Sequence, residues 1–239
     1  MEKIELIRSV LLELSKPLVL VGLMGAGKTA IGKRLALRLN LPFTDVDQEI
    51  EMAAGCSVAD FFEKYGEAEF RHGERRVLSR LLGEGAGILA TGGGAFMDAG
   101  ARTEILGQGI SIWLKADFET LWKRVCRRET RPLLKTSCPR QTLSQLLVKR
   151  YPVYAEADIT VISKDGSLES TVDDVIASVA AILDERRLEL AMEGHRFFDL
   201  VRTGQASSEL EGFISGKHEL FPIPQTEIDI SGLTQNPGY

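Results

Sequence analysis

Apolar runs punctuate the first two thirds of the chain: PLVLVG (17–22), LPFTDV (41–46), GILAT (87–91), ISIWL (110–114) and DITVI (158–162). Between them, apolar positions recur at helical spacing: after Lys28, through to about Leu82, near 99–107 and from Asp117. Strands that alternate with helices in this way are parallel, because a parallel neighbour needs a long return connection and the helix supplies it. The pattern predicts an α/β fold with one five-stranded, doubly wound parallel sheet. Ser57, with Asp60 three residues later, has the form of a capping box, and Gly66 is placed to stop the short helix that it opens. Thr130 to Thr142 carries Pro132 and Pro139 among polar residues and reads as a loop long enough to be a lid.

From Thr171 a further helical pattern runs through Val172, Ile176, Val179, Leu183, Leu190, Phe197 and Val201, well past the usual length of a globular helix. Gly194 predicts a bend or break in it and Gly204 an end, after which the sequence is loop-like and rich in Gly, Pro and Ser. At the other terminus Ile4, Ile7, Leu11 and Leu14 give a helical pattern that contains Glu5 and Glu13. The longest apolar run, Leu18 to Ala26, follows it without a small-residue cleavage site, so it reads as a buried strand rather than the core of a signal peptide. No run approaches the ~18 apolar residues of a membrane span. There is no internal repeat at solenoid periods.

Composition adds compartment and charge. The chain has 239 residues, 44% of them apolar, ample for one α/β domain with an appendage. Cys56, Cys126 and Cys138 are odd in number and far apart, which predicts reduced thiols in a cytoplasmic protein. His72, His195 and His218 have no zinc-type pairing. The net charge of −5 is confined to the tail: residues 1–183 balance 24 acidic against 24 basic side chains, whereas 184–239 carry 10 against 5. Within the neutral part, 123–150 holds nine Lys or Arg and only Glu129 as an acid. This run is either a solvated helix face or a surface for polyphosphate.

GLMGAGKT (22–29) satisfies G-x-x-x-x-G-K-[ST] between a predicted strand and a predicted helix. Its glycines let backbone N–H groups converge on phosphate oxygens, and the helix N-terminus adds partial positive charge. Lys28 is placed for the transferring phosphate and Thr29 for magnesium. TDVD puts Asp45 and Asp47 at the end of the second strand, facing that loop. On a strand the two carboxylates point the same way, and a bound magnesium relieves their repulsion. Asp45 is then free to hold the metal's water and Asp47 to take a proton or hydrogen bond from an acceptor hydroxyl. The competing reading is a helix-capping Asp beside a surface Asp.

In AEFRHGERR, Arg71 lies on the edge of an inward stripe that includes Phe70, Val77 and Leu78. Its anion is either a structural glutamate or a substrate carboxylate, which the guanidinium fork binds with two hydrogen bonds. ATGGGAF (90–96) places three glycines after the third strand, where the backbone can approach a small ligand or simply turn. RETRPLLK and KRYPVY place Arg131 in the lid, suited to covering phosphates and excluding water, and Arg150 on the following helix as a second fork for an anion.

GLMGAGKT, TDVD, FRHGE, GGG and RPLL followed by KRYPVY, in that order, make residues 15–183 resemble the shikimate kinase family. The resemblance implies a P-loop, nucleoside-monophosphate-kinase-like fold with a lid. It also implies phosphorylation of the 3-hydroxyl of shikimate by ATP with Mg2+, in aromatic amino acid biosynthesis. Carried over residue by residue, Gly25, Ala26, Gly27, Lys28, Thr29 and Ala30 match the ATP-binding loop, with Arg124 against the adenine and Arg131 in the lid. Lys164 to Ser167 match the adenine's other side. Thr29 and Asp45 match the magnesium-linked groups, and Asp47, Arg71, Gly93 and Arg150 the shikimate-binding residues. Lys28, Asp47 and Arg131 are the expected catalytic set. Whether Asp47 is a base or only orients the hydroxyl stays open here.

The tail departs from that family. DERRLELAMEGHRFFDLVRTG and KHELFPIPQTEIDISGLTQNPGY resemble the end of the SusD/RagB family of outer-membrane glycan-binding lipoproteins. The glycan-binding body of that family has no counterpart here, so glycan binding and membrane attachment are not carried over. The expected organisation is a kinase domain over 1–183 and a fused fragment over 184–239, a helix followed by loops. In the fragment Phe197, Phe198 and Phe213 need a surface, on the kinase domain or on another chain. The expected partner is the small-molecule substrate, with no nucleic acid, membrane or obligate protein. The rivals are a gluconate or nucleoside monophosphate kinase of the same fold, or a protein whose tail serves a binding role.

Overall fold

The computed structural model describes residues 16–127, 138–189, 201, 206–215, 217–218, 220, 222–232 and 234–236. Each predicted apolar run forms a strand: β1 Leu18–Val21, β2 Phe43–Asp45, β3 Ile88–Ala90, β4 Ile110–Lys115 and β5 Ile159–Ile162. They form one parallel sheet in the order β2-β3-β1-β4-β5. All four residues of β1 are fully buried, as expected of a central strand covered on both faces. β5, at an edge, alternates buried and exposed positions.

The helices are α1 Lys28–Leu39, α2 Val46–Ala54, α3 Val58–Leu82, α4 Ala99–Gln108, α5 Phe118–Val125, α6 Pro139–Tyr154 and α7 Leu168–Glu189, with a 3-10 turn at Ala95–Met97. Ser57 caps α3 by accepting from Asp60 N–H at 3.1 Å, and its hydroxyl donates to the Asp60 carboxylate. Gly66 ends the first helical segment of α3, as expected. It breaks the helix at φ 82°, ψ 175°, and the chain resumes helical geometry beyond the kink. The break lets Phe62 stack on Phe70 with ring centroids 4.4 Å apart, so the two halves of α3 brace each other through aromatic contact. α6 begins at Pro139, inside the segment expected to be loop.

The β1 neighbours explain where a ligand goes. Its chain continues into the Gly22–Lys28 loop, while β3 and β4 flank it on opposite sides. The order of strands therefore reverses at the carboxyl end of β1, the place where open α/β sheets form their binding crevice.

α7 runs without interruption across residue 183, where the kinase part was expected to end. In the tail, α8 Ala206–Glu209 and α9 Gln225–Ser231 are short, and the ring of Phe213 lies edge-on to His218 at 5.6 Å. The N-terminal pattern at Ile4–Leu14, the lid with Arg131, the breaks at Gly194 and Gly204, and Phe197 and Phe198 lie outside the described residues. Cys56, Cys126 and Cys138 are free thiols. Among the described residues no helix is long and apolar enough to cross a membrane.

Candidate active site

The loop after β1 folds as the glycine spacing requires. Gly25 and Gly27 have φ of 84° and 98°, a left-handed backbone that a side chain would strain. Gly27 caps α1 without a side-chain hydrogen bond, and α1 has no acid in its first turn. Its N-terminal amides and partial positive charge suit an anion. Lys28 Nζ folds back onto the carbonyls of Gly22, at 2.7 Å, and Leu23, at 3.2 Å. Ala30 sits in the first turn of α1 and is half-buried.

Thr29 and Asp45, predicted from separate motifs, meet: Thr29 Oγ1 donates to Asp45 Oδ2 at 2.9 Å. Asp45 also caps α2, accepting from Asp47 N–H at 3.2 Å. This corrects the expectation that Asp45 and Asp47 share a strand face. β2 ends at Asp45, and Asp47 is carried by the first turn of α2. The two carboxylates are still neighbours. Burial, then the charge of Asp45, pushes the Asp47 carboxyl above its ordinary range, with Lys28 and Arg71 pulling it partly back. A hydroxyl and a carboxylate, both hard oxygen donors, suit magnesium, which takes one or two protein oxygens and completes its shell with phosphate and water. The described residues hold no cluster of three or more His, Cys, Asp or Glu, so the site offers that sparse oxygen set and no protein cage.

The glycine run after β3 is where the other motifs converge. A Cβ on Gly92 would lie 2.5 Å from Asp47 Oδ1, one on Gly93 3.4 Å from Arg150 Nη1, and one on Gly94 2.5 Å from Arg71 Nη2. Each glycine therefore makes room for a different charged side chain, brought from α2, α6 and α3. Gly93 also approaches the phosphate loop, its Cβ position being 3.6 Å from Gly22 O and 3.7 Å from Met24 N. Two tests of this packing follow. Gly92→Ala displaces Asp47 and is expected to lower kcat by about tenfold, whereas Gly94→Ala pushes on Arg71 and is expected to raise acceptor KM about tenfold with kcat little changed. Steady-state kinetics of the two variants that showed the same parameter affected in both would contradict the assignment.

Of the two kinds of partner that its position allowed, Arg71 shows the structural one. Nη1 pairs with Glu74 Oε2 at 2.6 Å and Nη2 with Glu67 Oε1 at 3.4 Å. Glu74 is 2% exposed, and burial raises its carboxyl above the usual range while Arg71 pulls it back down. Glu74 closes the FRHGE motif, to which the resemblance gives a role only at Arg71. Its signal was the three-residue spacing from Arg71 on a helix, which places the two side chains together.

Arg124 ties the phosphate loop to the segment after β5. Nη1 donates to Ser163 Oγ at 2.9 Å and to Gly25 O at 3.3 Å, and Nη2 to Lys164 O at 2.5 Å. Lys123 pairs with Asp165 at 2.5 Å, so the expected adenine loop is pinned from one helix, α5. Ser163, which donates to Ala26 O at 2.8 Å, carried no motif and was not anticipated.

This geometry has relatives. A shikimate kinase family model matches residues 24–180. This chain belongs to the shikimate kinase family. It is accordingly an ATP-dependent kinase using Mg2+, and its reaction is the phosphorylation of shikimate in aromatic amino acid biosynthesis. Shikimate kinase from Rhodopseudomonas palustris is 52% identical over 164 residues, which cover 69% of this chain and 81% of the relative. The shikimate kinase from Rhizobium meliloti is 52% identical over 163 residues, covering 68% and 85%. The solved structure of shikimate kinase from Acinetobacter baumannii in complex with shikimate superposes with a TM-score of 0.67 at 37% identity, covering 75% of this chain and 99% of that one. A SusD family model matches residues 157–239, overlapping the kinase match from 157 to 180.

Proposed function

We propose that the chain transfers the γ-phosphoryl group of ATP to the 3-hydroxyl of shikimate through a site built from β1, β2, β3, α2, α3 and α6. The observation that carries this reading is the glycine run, whose three members face Asp47, Arg150 and Arg71 in turn. One carboxylate and two guanidinium forks around a small turn fit a compact polyol that bears one carboxylate.

ATP supplies the phosphoryl group, and magnesium supplies charge that offsets the crowded phosphate oxygens. The loop amides of Gly25 to Ala30 would bind phosphate, Thr29 and Asp45 would hold the metal through oxygen, and Arg124 would cover the adenine together with the Lys164 to Ser167 loop. Lys28 would exchange its carbonyl contacts for the transferring group, which Arg131 is expected to cover. Asp47 takes the hydrogen bond of the acceptor hydroxyl, and its raised pKa makes it a better proton acceptor than an ordinary carboxylate. Arg71 and Arg150 bind the substrate carboxylate, and Gly93 contributes backbone contacts to the ring hydroxyls. Gluconate, also a polyol with one carboxylate, and a nucleoside monophosphate, with its phosphate, could each engage an arginine fork, and membership of the shikimate kinase family is what favours shikimate over both.

We also propose that 1–183 is the catalytic unit and 184–239 a fused extension outside the chemistry, in a cytoplasmic protein. Every residue assigned above lies between Gly25 and Ser167, and the cytoplasm is where ATP and reduced thiols coexist.

Shikimate methyl ester tests the acceptor assignment, since it keeps the hydroxyls and loses the negative charge. Its kcat/KM is expected to fall by about two orders of magnitude, the loss of charge-assisted hydrogen bonds to two arginines. Equal turnover of acid and ester would remove Arg71 and Arg150 from recognition.

A further inference from the structure

Tyr154 is a fully buried residue near the end of α6, one helical turn beyond Arg150 and on the same face. Its ring lies against Phe96 and Trp113, with centroids 6.4 and 6.1 Å away. Its hydroxyl donates to Gly93 O at 2.5 Å, and the same oxygen accepts from Arg150 Nη1 at 2.6 Å. One carbonyl thus spends its accepting capacity on two donors from a single helix.

That arrangement matters because glycine peptides are the least constrained in a chain. The peptide bonds of the glycine run are trans, and in a trans peptide the C=O and the following N–H point in opposite directions. Fixing the Gly93 oxygen therefore fixes the direction of the Gly94 N–H. Neither Gly93 nor Gly94 N–H has a backbone acceptor among the described residues. Burial raises the Tyr154 phenol above its usual pKa, with the Arg150 and Arg71 charges pulling it partly back, so at neutral pH it remains a protonated donor.

We propose that Tyr154 is a positioning residue for shikimate binding: its hydroxyl pins the Gly93 carbonyl, and thereby holds the Arg150 guanidinium and the Gly93–Gly94 peptide in the orientation that receives the acceptor. The inference rests on the reading of Arg150 and Gly93 as shikimate-binding groups. Tyr154 does not touch the reacting atoms and acts through these two neighbours. A phenol that was merely a satisfied core group would matter for stability and not for one substrate over the other.

Tyr154→Phe in the full chain keeps the ring and removes only the hydroxyl. The expected result is an approximately tenfold rise in shikimate KM, with ATP KM and kcat changed less than about twofold. Tyr151→Phe is the control: it lies on the same helix, its hydroxyl donates to Ala116 O, and it should leave shikimate KM unchanged. An unchanged shikimate KM in Tyr154→Phe, or an equal loss for both substrates with a lowered Tm, overturns the proposal.

A cycle with Arg150→Lys, read as shikimate Kd by titration calorimetry, separates the two layers of the argument. The Tyr154→Phe effect should shrink clearly once Arg150 is changed, because only the Gly93–Gly94 peptide is then left for the residue to position. A full-size effect in that background contradicts action through Arg150. If Arg150→Lys alone leaves shikimate Kd unchanged, the acceptor-site reading itself fails and the proposal falls with it. If Arg150→Lys weakens binding and Tyr154→Phe does not, the site stands and only the role of Tyr154 is lost.

Discussion

Asp47→Asn is expected to lower turnover by about 10²- to 10⁴-fold, the usual contribution of a positioned general base, while leaving ATP KM within about twofold of wild type. The same variant is expected to melt at a higher temperature than the wild type at neutral pH. The direction follows from linkage. Burial and the neighbouring Asp45 hold the folded-state pKa of Asp47 above the ordinary carboxylate value, so the folded protein binds this proton more tightly than the unfolded chain does. That stabilisation is complete below the unfolded pKa and is lost as pH rises through the folded one. At neutral pH the ionised carboxylate is therefore a net cost, and the neutral amide removes it. Calorimetric melts at pH 7 and pH 4 should show the gain at the higher pH and little at the lower. Undiminished turnover would take Asp47 out of the mechanism, and a lower Tm at pH 7 would show that its charge is compensated.

Arg71→Ala carries the largest expected stability effect. Glu74 is 2% exposed and its short ion pair with Arg71 lies at 2.6 Å, so removal of the guanidinium leaves a buried carboxylate without its main cation. Breaking such a pair costs about 3–5 kcal/mol. Here the cost should shrink as pH falls. Glu74 already has a raised pKa through burial, and losing Arg71 raises it further, so acid supplies the proton that makes the cation unnecessary. Shikimate affinity should fall more than tenfold in the same variant with ATP binding retained. Denaturant melts across pH 5 to 8 check the first statement: a deficit that stays constant or grows toward acid would mean that Glu74 is not the group left behind. Double substitution Arg71→Met with Glu74→Gln is expected to recover stability without recovering affinity, which separates the structural partner of Arg71 from its functional one.

The sheet was legible in the sequence because a parallel strand buried on both faces is apolar throughout. PLVLVG could hardly be anything else, and the phosphate loop follows it at a fixed offset. Asp47 was harder to place. TDVD reads as the end of a strand, yet Asp45 accepts the Asp47 N–H and starts a helix there, so the two carboxylates come together by a cap and not by strand alternation. Gly66 carried a true signal: the short helix that Ser57 opens stops there, and Phe62 stacks on Phe70 across the kink. GGG was weak evidence by itself, since its meaning lies in the three side chains that it admits from three different elements. Glu74 was accessible from local spacing. Tyr154 was not, because its partner is a carbonyl 61 positions away and no local pattern marks it.

The most direct measurement of the account as a whole is ADP release by the full-length chain with ATP and Mg2+, using shikimate, gluconate or a nucleoside monophosphate as acceptor, with phosphorus NMR of the product. The expected result is turnover with shikimate alone and a single product bearing phosphate on the 3-hydroxyl. Turnover with gluconate or a nucleoside monophosphate instead, or phosphate on another hydroxyl of shikimate, would contradict it.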